Sequence, residues 1–452
     1  MKFKFATFSL LLFLAFACGE DPITPPPTTG PQQYGTPLVN VPNADKATIY
    51  EVNLRAQSAA GTLQGVIAQL DHIKSLGTNV IWLMPIYEEG IVNSVGSPYS
   101  VKDYMKVSAE YGTLSDLRAL TDQAHALGMA VILDWVANHT SWDHPWISAH
   151  PEWYTQNANG QIIIPPGTNW NDVADLNFNQ SAMRKAQIDA MKYWVLEANV
   201  DGFRCDYADG VPFDFWDEAI SALKSIPKRD VLMLAEGARS DHYQAGFDLT
   251  YSWNYYTALK NVWAGSASSL LTTTHQVELA SLPSAKGKVR FTTNHDQSAW
   301  EASPMTLFNG KNGAIAASVA NIFSGGTPLL YTGQEVGKTG TTPFFSNTNI
   351  NWSANADMLA AYQKCYAIYN TYPEARVNNF SIYQLSNDLI CWKKTSGNAS
   401  ILILINVRNT NINVTLPPAL TGTFLNLISN QNETLGTSLA LSPYAYRIYK
   451  MN

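Results

Sequence analysis

Three acidic residues end three apolar stretches of this sequence. Asp206 closes Val200-Asp201-Gly202-Phe203-Arg204-Cys205-Asp206, Glu236 closes Leu232-Met233-Leu234-Ala235-Glu236, and Asp296 closes Phe291-Thr292-Thr293-Asn294-His295-Asp296. Read as the ends of three strands, the carboxylates would face one mouth. Like charges gathered on apolar strands are costly, so a fold tolerates them chiefly where proton transfer or a cationic transition state needs them. Glycosidic cleavage has that need. One ionised carboxylate attacks the anomeric carbon while a second, kept protonated by its surroundings, donates to the leaving oxygen. Asp206 and Glu236 fit these two roles. Arg204, two residues back, points the same way as Asp206 by strand alternation, and its guanidinium would keep that carboxylate ionised.

The elements that must hold these residues are legible as a repeating pattern. From Thr48 onward short apolar runs alternate with amphipathic stretches, as βα units do. Thr48 to Asn53 reads as the first strand. The spacing of Leu63, Val66, Ile67, Leu70 and Ile73 predicts a helix with Thr62 as N-cap and Gly77 as its stop. Asn79 to Met84 is the next strand, and Leu114, Leu117, Leu120 and Leu127 mark a helix that leads into the strand Met129 to Asp134. Further strands fall at Val200 to Asp206, Val231 to Glu236, Phe247 to Tyr251, Val289 to Asn294 and Thr327 to Tyr331. The fold class is therefore α/β, a closed (β/α)₈ TIM barrel whose site lies where the strands end. It would occupy residues 45–138 and 177–375. The Trp-, Pro- and Asn-rich stretch 139–176 is too long for an ordinary loop and reads as an inserted subdomain. Short β-type runs separated by Asn-rich turns predict a C-terminal antiparallel domain over 380–452.

Bulk properties narrow the partners. With 46% hydrophobic and 14% charged residues, and no apolar run after the N-terminus long enough to cross a bilayer, a polytopic membrane protein is excluded. The formal charge of −7 comes without any Lys/Arg cluster, so no nucleic-acid partner is expected. Lys2 and Lys4 precede the apolar run Phe8 to Ala17, the pattern of an export signal over residues 1–18. Leu14-Ala15-Phe16-Ala17-Cys18 resembles a bacterial lipobox, which implies a cell-envelope lipoprotein touching the membrane only through a lipid on Cys18. Ordinary signal cleavage nearby, giving a secreted or periplasmic protein, is the alternative. The Pro- and Thr-rich residues 19–44 read as a linker. Cys205, Cys365 and Cys391 would then remain, an odd number without metal-ligand spacing.

The same segments carry a resemblance. Asp134-Trp135-Val136-Ala137-Asn138-His139, Gly202-Phe203-Arg204-Cys205-Asp206, the run ending in Glu236, and Asn294-His295-Asp296 resemble, in order, the four short regions of the α-amylase family of glycoside hydrolases. The likeness runs from about Ile49 to Trp352 and includes Tyr99 to Tyr104 and Gly326 to Glu335. It implies a barrel enzyme with Asp206 as nucleophile, Glu236 as acid/base and Asp296 as the carboxylate that binds sugar hydroxyls and stabilises the transition state. It also implies that His139 and His295 bind the sugar in the cleaved subsite, that Arg204 orients and ionises the nucleophile, and that Tyr99 stacks on the same ring. Asp134 is structural by comparison. A structural calcium ion, not needed for the chemistry, is implied at Asn138 and Asp175, although calcium takes six to eight ligands and the resemblance supplies two.

One departure bears on substrate. Many α-amylases follow the nucleophile with a Lys-His pair that binds further sugar and helps the metal, whereas this sequence has Tyr207-Ala208-Asp209-Gly210. The expected activity is hydrolysis of α-1,4-glucosidic bonds in starch-type glucans or maltooligosaccharides. An α-1,6-oligoglucosidase or a glycosyl transferase of the same family is the alternative, since all share one covalent intermediate and differ in the acceptor that reaches it. A surface protein that only binds glucan would be expected to have lost carboxylates, and all three are present.

Overall fold

The computed structural model describes residues 30–280 and 282–451. The export signal and the Cys18 motif lie outside the described residues. Eight parallel strands close into a barrel: β1 (Ile49–Val52), β2 (Val80–Leu83), β3 (Ala130–Val136), β4 (Gly202–Asp206), β5 (Leu232–Ala235), β6 (Leu249–Tyr251), β7 (Gly287–Arg290) and β8 (Thr327–Tyr331). Each pairs with its neighbour in sequence, and β8 returns to β1, with Ile49 opposite both Leu329 and Val80. Sequence periodicity places every strand, with ends shifted by a few residues. The largest shift is at β7, which stops at Arg290. Asn294 leaves the sheet to cap the helix His295–Trp300, its side chain accepting the Gln297 N–H, so Asp296 stands in the first turn of that helix instead of closing a strand.

Two concentric cores hold the barrel. Inside it, Ile49, Val80, Trp82, Ile132, Leu234, Leu249, Val289 and Leu329 pack on one another. Between strands and outer helices a larger core joins Val52, Leu83, Leu133, Phe203, Met233 and Leu330 to residues such as Leu117, Trp194, Trp216 and Tyr366. The strands are buried on both faces, which is why they read as continuous apolar runs.

Residues 30–44 correct the linker expectation where they are described. Ala44 is buried and belongs to the interior cluster, with Leu38 and Val41 packed against it. The Tyr34 hydroxyl donates to Asp122 at 2.7 Å and Arg118 lies over its ring at 4.5 Å. Apolar residues scattered among the prolines give this segment something to bury.

The insertion after β3 is tied down by a hairpin, His139–Ser141 against Val173–Asp175, with His139 opposite Asp175. It has its own small core around Tyr154, Ala174, Leu176 and Met183. The C-terminal strands are β9 (Ser381–Ile382), β10 (Leu389–Ser396), β11 (Ala399–Asn406), β12 (Ile412–Thr415), β13 (Gly422–Asn426), β14 (Gln431–Leu435), β15 (Ser438–Leu441) and β16 (Tyr446–Met451). They form a six-stranded antiparallel sheet in the order β9-β10-β11-β16-β13-β14 beside a β12-β15 pair.

Candidate active site

A cleft of about 810 Å³ opens at the C-terminal ends of the barrel strands, and Asp206, Glu236 and Asp296 all line it, with Tyr99, His139 and His295. At its floor lies Arg204, fully buried on β4. Its Nη1 donates to Asp206 Oδ1 and to Asp134 Oδ1, each at 2.8 Å. Its Nη2 lies 2.9 Å from Glu236 Oε2. One guanidinium thus reaches three carboxylates from three adjacent strands, and the Trp82 ring below it, 5.0 Å away, seals it from solvent. Removing water strengthens each of these charge interactions.

The carboxyl groups differ in consequence. Burial raises Asp206, and Arg204 opposes that rise, leaving it at about 6. Burial raises Glu236 further, to about 7, with Asp206 and Asp296 adding to the effect of burial against Arg204. Glu236 Oε2 also accepts the Tyr207 backbone N–H at 2.8 Å. Neighbouring carboxyls with separated affinities for a proton are what a nucleophile and a proton donor require.

Around Asp134 a second network forms. Its Oδ2 accepts from Trp82 Nε1 at 3.2 Å and from the Tyr99 hydroxyl at 3.0 Å. The Tyr99 oxygen is 2.8 Å from His295 Nε2, and His295 Nδ1 is 2.5 Å from Glu51 Oε1 on β1. Burial disfavours a charged His295, but Asp296 and Glu51 outweigh it and lift the ring to about 9. Carrying its proton, His295 donates from both nitrogens, to Glu51 and to the Tyr99 oxygen, and the Tyr99 hydroxyl in turn donates to Asp134. His139 goes the other way: burial lowers it to about 4, so its ring is neutral.

The predicted catalytic and sugar-binding residues thus lie at the cleft or directly beneath it, with refinements. Tyr99 has one side occupied by the His295 ring, stacked at 5.5 Å and 18°. His295 already spends both nitrogens on protein partners. Asp296 is the most exposed of the carboxylates, its side chain 36% accessible and 3.7 Å from His295 Nε2.

Asn138 and Asp175 lie apart from the cleft lining. The Asn138 amide donates to Asp175 Oδ1 at 3.3 Å and sits 3.4 Å from His139 Nδ1. Among the described residues no group of three His, Cys, Asp or Glu side chains is arranged to hold a metal. Both side chains carry oxygens of the kind calcium takes, but they supply only part of the six to eight that its shell needs. Here the pair serves as a hydrogen bond across the base of the insertion.

Sequence reasoning missed Glu51, Trp82 and the aromatic wall of the cleft. Glu51 left a signal, an acidic residue inside the otherwise apolar Ile49–Val52. Phe344 left none: it meets His295 at 5.3 Å and Tyr99 at 5.8 Å only because the loop after β8 folds back over the mouth.

The chain matches the family model described as "Alpha amylase, catalytic domain" over residues 42–161 and 152–370. It is 25% identical over 405 residues to an α-amylase of Haloarcula japonica, a match covering 84% of this chain and 58% of that longer protein. With α-amylase 3 of Dictyoglomus thermophilum it shares 29% over 368 residues, covering 73% and 71%. The crystal structure of an α-amylase from Lactobacillus plantarum superposes with a TM-score of 0.82 at 32% identity, over 90% of this chain and 99% of that one. Motifs, barrel, cleft and relatives agree, and the chain belongs to the α-amylase family of glycoside hydrolases.

Proposed function

We propose that this enzyme hydrolyses α-1,4-glucosidic bonds in starch-type glucans or maltooligosaccharides with retention of configuration. The observation that carries this reading is the single buried guanidinium of Arg204 bridging Asp206 and Glu236 at the cleft floor. It holds the two carboxyls near one another, as direct attack by one of them requires, while their different environments divide the labour. An Asp206 oxygen attacks the anomeric carbon as the Glu236 carboxyl gives its proton to the glycosidic oxygen, and the carbon–oxygen bond to the leaving sugar breaks. Glu236, now a carboxylate, takes a proton from water, whose oxygen attacks the same carbon and frees Asp206. Asp296 and the charged His295 border the ring that passes through the cationic transition state, and neutral His139 and the Tyr99 ring complete its contacts. The α-amylase names of the relatives and the aromatic lining of the cleft support a glucan as substrate.

Incubation with starch, maltotriose and isomaltose, with the anomer first released followed by NMR, tests this. The expected result is α-anomeric product from the first two, little turnover of isomaltose, and loss of activity in Asp206→Asn. Products appearing first as the β-anomer, or an Asp206→Asn variant as active as the parent, would overturn it.

A further inference from the structure

The loop after the nucleophile contains a feature that the chemistry above leaves unused. Tyr207 adopts a left-handed conformation, φ 43° and ψ 43°, which a bulky residue rarely does unless its surroundings impose it. In that conformation its N–H meets Glu236 Oε2 at 2.8 Å. The next N–H, of Ala208, donates to the Glu236 carbonyl at 3.0 Å. Asp209 then reaches across to the turn that follows Glu236. Its carboxylate accepts the Ala238 N–H at 3.1 Å and the Arg239 N–H at 3.3 Å, and His242 Nε2 lies 2.6 Å from it. His242 is fully buried, so it cannot swing away. Arg239 closes the link in return, donating from Nη1 to the Asp209 carbonyl at 2.9 Å and the Val211 carbonyl at 3.1 Å. Two glycines mark how tight the joint is. A Cβ on Gly237 would fall 2.3 Å from Asp209 Oδ1, and one on Gly210 would fall 2.2 Å from the Tyr207 ring.

We propose that Asp209, clamped by His242 and the 238–239 backbone, is a positioning residue that fixes the Glu236 carboxyl for proton donation. The clasp joins the loop after β4 to the loop after β5, so it sets the acid relative to the nucleophile and holds the strained Tyr207 N–H against it. Without the clasp Tyr207 relaxes to an ordinary backbone conformation, and the carboxyl loses the contact that aims it. The inference rests on the role proposed for Glu236.

The test compares leaving groups. An unactivated maltooligosaccharide needs the proton of Glu236 on its departing oxygen, whereas α-maltosyl fluoride departs without it. In Asp209→Asn, and in the milder His242→Gln, kcat/KM for maltotetraose is expected to fall about 100-fold, the low end of what general acid catalysis supplies. The kcat/KM for the fluoride, which reports only the first, bond-breaking half-reaction and not the later attack of water, should fall less than about threefold. A general loosening of the fold would lower both alike. Equal losses on the two substrates in either variant would overturn the clasp. Parent enzyme inactive on both would instead sink the hydrolase reading.

Discussion

Arg204 shows how one side chain can set the protonation of its neighbours. Fully buried, it touches Asp134, Asp206 and Glu236. A cation in a dry site favours the ionised form of each, while burial favours the neutral form. Asp206 ends at about 6 and Glu236 at about 7. The pair is active when Asp206 has lost its proton and Glu236 has kept one. Activity is therefore expected to fall on acidification below about 6, as Asp206 is protonated, and on alkalinisation above about 7, as Glu236 ionises. These limbs belong to the coupled pair. Glu236→Gln should lower kcat on unactivated glucan by about 100-fold or more and abolish the alkaline limb, because the amide has no proton to lose. An alkaline limb unchanged in that variant would assign it to another group.

At the scale of elements, β4 and β5 decide how accurately nucleophile and acid face each other. β4 begins at Gly202, whose φ of 147° suits glycine, and its backbone presses against β5: a Cβ there would fall 1.9 Å from the Leu232 carbonyl oxygen. Gly202 pairs with Leu232, and two residues further along Arg204 pairs with Leu234. A methyl group at 202 must push the strands apart where they begin, four residues before each carboxylate. Gly202→Ala should destabilise the fold by about 3 kcal/mol, the upper part of the range for overpacking a dense interior. Its catalytic loss should be larger on unactivated glucan than on an activated fluoride. An unchanged denaturation midpoint would show that the strands accommodate the added carbon.

In the whole molecule, the C-terminal sheet is part of the barrel's packing. Ile390, Trp392, Ile401, Ile403, Ile405 and Ile448 belong to the same buried cluster as Phe323, Tyr369 and the outer face of the barrel strands. Lys394, buried in this seam, donates to the Phe323 carbonyl at 2.7 Å, and Arg408 donates to the Ser266 carbonyl at 2.6 Å. Ending the chain at residue 379 would uncover that apolar face. Such a chain is expected to be insoluble or to unfold at a markedly lower temperature than the full one. A soluble truncated barrel with the parent's melting temperature would make the terminal sheet a mere appendage.

The eight strands were legible because each is buried on both faces and bounded by helical periodicity, and burial writes itself into the order of residues. Asp206 and Glu236 were legible too, since an acidic residue at the end of an apolar strand has few uses outside a site. What tertiary structure decided are the pairings between distant segments. His295 meets Glu51 across 244 positions, and that meeting joins Asp296 beside it in making the ring a cation. Asp296 sits on a helix because Asn294 caps it, and residues 38–44 pack against the barrel's interior cluster. Asn138 and Asp175 meet across 37 positions because the hairpin at the base of the insertion brings them together. Periodicity and residue type are local properties that a sequence states outright. Which side chain ends beside which is settled by chain closure and packing, and there the charges, the clasp at Asp209 and the shape of the cleft were fixed.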